Sequence, residues 1–169
     1  GGHLGKLSAT EISNQFKDVI TIPVISAGGL GTKAEIAEKI DMGFSGVSIG
    51  SPFIACEEAD ISKEYKQACV DYGKEDIVIS TKISGSPCTV INTPYVQKTG
   101  TTQNWLEKIL SKNKKLKKWV KMITFFKGMK LVEKAAFSST YKTVWCAGPS
   151  IEHTKAILPT KEIIKRLTT

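Results

Sequence analysis

Pro23-Val-Ile-Ser-Ala-Gly-Gly29 and Gly46-Val-Ser-Ile-Gly-Ser51 are two short apolar runs, each closed by glycine, with a helix signal between them. Together they predict strand, helix and parallel strand, the repeating unit of α/β folds. Ile20 to Ala27 is β-branched and almost continuously apolar, which suits a parallel strand buried on both faces. Pro23 has no N–H for a ladder, so it is expected at that strand's first residue. Thr32-Lys-Ala-Glu35 is a capping box, Ile36, Ala37 and Ile40 line one helix face, and Gly43 stands where the helix should stop. Gly46 to Ile49 is the second strand.

Glycine carries no Cβ, so backbone N–H groups at such strand ends can approach a phosphate closely. Adjacent strands of a (β/α)8 barrel build phosphate sites this way, with the next helix N-terminus aimed at the anion. Ala27, Gly28, Gly29, Ile49, Gly50 and Ser51 are the candidates, and Ser51 adds a hydroxyl. A lone Gly-Gly is also what any tight strand-to-helix turn needs; two such ends one crossover apart are more specific. His3 lies between Gly2 and Gly5, where an imidazole with an ordinary pKa near 6.5 can serve a substrate as base or donor. If Gly1 were a free amino terminus, its amine, two amides and the His3 ring could wrap Cu(II) or Ni(II). The chain starts without methionine and inside this loop, so that arrangement is read as an artefact of truncation.

Further along, Ser8 to Glu11 caps a helix with Ile12 and Phe16 on one face. Ser62 to Tyr72 reads as a helix, Ile77 to Ile83 as a strand, and Cys88 to Val96 as mixed. Thr102 to Phe137 reads as helical with a break near Gly128, and Thr143 to Ala147 as extended. Pro159 to Leu167 reads as a helix with Ile163, Ile164 and Leu167 inward.

The chain has 169 residues, 41% hydrophobic and 24% charged, ordinary for a globular protein. No apolar run approaches the ~20 residues of a membrane span and no secretory signal is visible, so a cytoplasmic protein without a membrane partner is expected. Cys56, Cys69, Cys88 and Cys146 have neither zinc-site nor disulfide-framework spacing; free thiols and no metal are expected. Residues 105–134 hold ten lysines against Glu107 and Glu133, a net +8 equal to that of the whole chain. A solvated helix face is the preferred reading, with Leu106, Ile109, Leu110, Leu116, Trp119, Val120 and Ile123 beneath it. An acidic partner or anionic substrate is the second reading. Nucleic acid is not expected, because Arg166 is the single arginine.

Gly1-Gly-His-Leu-Gly, Pro23-Val-Ile-Ser-Ala-Gly-Gly, Gly46-Val-Ser-Ile-Gly-Ser-Pro-Phe, Glu57-Glu58, Ser84-Gly-Ser-Pro87 with Asn92, and Trp145-Cys-Ala-Gly148 together resemble the nitronate monooxygenase (2-nitropropane dioxygenase) family. The likeness covers residues 1–92 and 143–169. It implies the C-terminal part of an FMN-binding (β/α)8 TIM barrel, its last two strands, followed by a helical Lys-rich extension. Gly1, Gly29, Ser48, Ile49, Gly50 and Ser51 match flavin-contacting positions, and His3 matches the active-site histidine. Such an enzyme uses O2 to turn nitronates or nitroalkanes into carbonyl compounds and nitrite. A flavin enoyl-acyl carrier protein reductase shares most of these motifs and would make acyl carrier protein a partner; an inactive truncated fragment is a third reading. A homo-oligomer is compatible with all three. The implied organisation is 1–97 barrel, 98–142 Lys-rich helices and 143–169 returning to the barrel, with six earlier strands missing and the fragment alone inactive.

Overall fold

The computed structural model describes residues 2–16, 18–83, 86–103, 122–123, 125–130, 133 and 144–169. In chain order the elements are β1 (Gly2–His3), α1 (Ala9–Phe16), β2 (Ile25–Ala27), α2 (Lys33–Asp41), β3 (Gly46–Ser48), α3 (Ser51–Ile54), α4 (Lys63–Asp71), a 3-10 turn at Lys74–Asp76, β4 (Ile77–Ser80), β5 (Cys88–Ile91), α5 (Pro94–Thr99), a 3-10 turn at Pro149–His153 and α6 (Thr160–Thr168).

Local chemistry sets the helix ends. Ser8 Oγ accepts from the Glu11 amide at 3.2 Å while Glu11 Oε2 accepts from the Ser8 amide at 2.7 Å, and α1 follows. Thr32 and Glu35 form the same reciprocal box ahead of α2. Gly43 ends α2 at φ +93, a left-handed conformation that favours glycine. Phe44 beyond it meets Phe16 of α1 edge-on, ring centroids 5.1 Å apart.

β2 and β3 run parallel, with Ile25 beside Gly46, Ser26 beside Val47 and Ala27 beside Ser48; α2 is their crossover. The second sheet is antiparallel in the order β1-β5-β4, with Gly2 opposite Thr89 and His3 opposite Cys88. The described strands therefore make an α/β fold of two small sheets, not a closed barrel.

The core sits between α3, α4, β5 and residues 147–151. Ala55, Cys69, Ile91, Ala147 and Ile151 are fully buried there, with Tyr65 stacked on Trp145 at 5.7 Å. Complete burial of side chains such as Ile91 and Ile151 contributes about 1.5–3 kcal/mol each. A second cluster joins Ile163 and Leu167 of α6 to Cys56, with Ile36, Ile49 and Phe53 packed around it.

Several expectations are corrected. The first strand of the parallel pair is Ile25–Ala27, and Pro23 lies before it rather than at its first residue. It is not buried on both faces: Ser26 is buried, but Ile25 is 56% exposed and Ile22 72%. Its one strand partner among the described residues is β3. Ile164 faces outward instead of inward, and Ile12 and Ile40 are also exposed. Cys88 to Val96 resolves into β5 and then α5, opened by Thr93, whose hydroxyl accepts from Val96 N, and by Pro94 in the first turn. Gly128 itself lies within helical residues 125–130, and residues 124, 131 and 132, where a nearby break would fall, lie outside the described residues. Apart from residues 98–103, 122–123, 125–130 and 133, the Lys-rich segment lies outside the described residues, as do Ser84, Gly85 and Thr143. No helix among the described residues is long and apolar enough to cross a membrane.

Candidate functional site

The parallel register brings the two glycine-closed turns side by side. Ala27 pairs with Ser48, and the Gly28 amide reaches Ser48 O at 3.5 Å. Gly28 (φ +92) and Gly29 (φ +75) then turn through left-handed backbone, a conformation costly to a residue with a Cβ. A Cβ built on Gly28, Gly29 or Gly50 would meet nothing within 4 Å. These glycines are therefore not required by internal crowding; they leave backbone open on one side. Among the described residues, neither the Gly29 nor the Gly50 amide donates to a backbone carbonyl. The donor set and the open backbone fit a phosphate.

Ile49 packs into the α6 cluster and so fixes the end of β3. Ser51 is 3% exposed, and its Oγ accepts from Gly148 N at 2.9 Å.

His3 is carried on the other sheet, exposed, opposite Cys88 of β5. Gly2 beside it has φ +108, and Leu4 N donates to Pro87 O at 3.0 Å. Gly1 lies outside the described residues. Residues 144–148 form one link between the two groups. Ile91 N of β5 donates to Trp145 O at 2.9 Å, and three residues on Gly148 reaches Ser51. The structure thus brings Ala27, Gly28, Gly29, Ser48, Ile49, Gly50 and Ser51 together, and residues 144–148 help to fasten His3's sheet to them.

Two assemblies around this site escape sequence reading. Gly31 is packed so closely that a Cβ would lie 2.7 Å from His153 Cδ2 and 3.0 Å from Ser150 O. Glu35 Oε2 accepts from the Gly31 and Thr32 amides at 2.8 and 3.0 Å, while Oε1 is 3.6 Å from His153 Nε2. Partial burial raises the Glu35 pKa, but the Gly31 and Thr32 hydrogen bonds and the His153 charge outweigh it, so the carboxyl lies below its usual range. The Gly31 and Thr32 amides are therefore already bonded to Glu35, and an anion at the glycine turns would draw on the Gly29 and Gly50 amides instead. Glu58 Oε2 accepts from the Thr160 amide at 2.9 Å and from its hydroxyl at 2.8 Å, capping α6 from 102 residues away.

Three of the thiols are poor nucleophiles. Burial pushes Cys69 up to about 12 and Cys146 up to about 11, and also raises Cys88. Among the described residues no group of three His, Cys, Asp or Glu side chains is placed to hold a metal ion.

The nitronate monooxygenase family model matches residues 1–169. A Rhodococcus jostii protein named (3aS,4S,5R,7aS)-5-hydroxy-7a-methyl-1-oxo-octahydro-1H-indene-4-carboxyl-CoA dehydrogenase is 31% identical over 96 residues, covering 57% of this chain and 27% of its own. A probable nitronate monooxygenase of Staphylococcus saprophyticus is 29% identical over 109 residues, covering 58% of this chain and 31% of its own. The solved structure of FabK from Thermotoga maritima superposes with a TM-score of 0.75 at 24% identity, covering 99% of this chain and 50% of that one. The matches thus span about a third of the curated relatives and half of the solved structure.

Proposed function

Because this chain belongs to the nitronate monooxygenase family, we propose that it supplies the phosphate-binding turns and the histidine of an FMN-dependent oxidoreductase. That enzyme oxidises alkyl nitronates with O2 to carbonyl compounds and nitrite. The single observation that carries this reading is the Ala27–Ser48 pairing, which sets two open glycine turns next to each other.

In this reading the Gly29 and Gly50 amides and the Ser51 hydroxyl hold the FMN phosphate, with Ala27, Gly28, Ser48, Ile49 and Gly1 against the cofactor. The bound flavin supplies electron exchange between substrate and oxygen. His3 hydrogen-bonds the nitro group, or takes the α-proton when the substrate is a neutral nitroalkane. The rest of a closed barrel comes from outside these 169 residues, so the chain alone is not expected to turn over.

The test is to purify this chain beside a version extended to the length of its relatives and record visible absorption. Flavin on the extended protein, with nitrite released from a nitronate under O2, is the expected result. In that protein His3→Ala should keep flavin and lose turnover by about 10²–10⁴-fold. Flavin on neither form overturns the cofactor assignment. NAD(P)H oxidation without nitrite release would replace it with the enoyl-acyl carrier protein reductase reading.

A further inference from the structure

Thr154 Oγ1 is a buried hydroxyl without a hydrogen-bond partner among the described residues. Thr154 is 8% exposed, and buried polar groups are costly to leave unmet. It lines a cavity of about 40 Å³ between the Pro149–His153 turn, Pro52 at the start of α3, and α6. That is room for about three waters or one small oxyanion.

The lining is biased in charge. His153, Lys155 and Arg166 face this space and no carboxylate does. Neither Lys155 nor Arg166 has an ion-pair partner among the described residues. Glu35 engages His153 from outside the lining, and its other oxygen is taken by two amides. The larger groove beside α4, about 700 Å³, has no such bias: it mixes Glu57, Glu64 and Asp71 with Lys63 and Lys66. There Lys66 is already committed to Glu57 O at 2.9 Å.

We propose that the smaller cavity binds a small oxyanion of the phosphate type. Thr154 Oγ1 donates one hydrogen bond, the planar Arg166 fork offers two more, and Lys155 adds charge. This site is separate from the glycine turns. None of residues 27–29 or 48–51 lines it, and its apolar wall is Ile163 and Leu167 of α6.

The chain has two histidines, His3 and His153, so ring signals of the histidine-labelled chain report on the cavity and on a distant control. Titration with inorganic phosphate at constant ionic strength should move the His153 signal along a saturating curve that His3 does not follow. Arg166→Gln and Thr154→Val should each weaken that response by about tenfold or more. Thr154→Val keeps the side-chain shape and removes the donor, so it carries the test even if Arg166→Gln perturbs α6. Sodium chloride at the same ionic strength should leave the signal in place. A response that chloride reproduces, that fails to saturate, or that persists unchanged in both variants overturns the proposal.

Discussion

Gly31 and Gly50 differ in what a side chain would meet. At Gly31 the added carbon would press on backbone and Cβ of Ser150 as well as on His153. Gly31→Ala should cost about 1–3 kcal/mol and lower Tm by roughly 2–10 °C. At Gly50 the backbone has φ −124, which any residue adopts, and the Cβ would stand in open space. Gly50→Ala should leave Tm unchanged and reduce flavin retention in the extended protein; equal losses of Tm in the two variants would argue that both are packing positions. Glu35 gives a pH signature. Its folded pKa is depressed, so its contribution is present above the unfolded value of about 4.3 and lost as pH falls through the folded value. In urea unfolding from pH 6 to pH 3, the stability gap between the native chain and Glu35→Gln should close toward the acid end. A gap independent of pH would assign the loss to shape rather than charge.

Helical residues 125–130 approach the turn after β4 so closely that a Cβ on Gly128 would overlap the Ile83 carbonyl. Gly128→Ala should therefore detach this helix, although alanine is the better helix former. Faster amide exchange at 125–130 with helical circular dichroism retained is the expected outcome; unchanged exchange would mean that the two segments do not dock. The same position shows where sequence reading stops. A glycine in a helical pattern reads as a break because the local window holds no sign of Ile83. What was legible is what short windows encode: Thr32 to Glu35, Gly43, and the glycines after β2 and β3. What was not legible joins residues far apart, as Gly148 to Ser51 across 97 positions and Glu58 to Thr160 across 102. The outward turn of Ile25 and Ile40 has the same origin, since an apolar pattern shows which face seeks cover and not whether these residues supply it.

At the scale of the molecule, apolar surface collects around the parallel pair: Val19 is 78% exposed, Ile22 72% and Ile25 56%. Surface of this kind marks an interface or an aggregation liability. The isolated chain should bind an apolar fluorescent dye and associate as concentration rises in sedimentation velocity, and the extended protein should do neither. A dye-free monomer would show that these side chains are too scattered to act as one patch. The strap at residues 144–148 bears on the order of events during synthesis. A ribosome adding about 5–20 residues per second delivers Ser51 some 5–20 s before Gly148. Through that interval both glycine turns exist as sequence but lack the bond that fastens α3. A message cut short before the codon for Gly148 would therefore yield every glycine of the proposed cradle and none of its clasp.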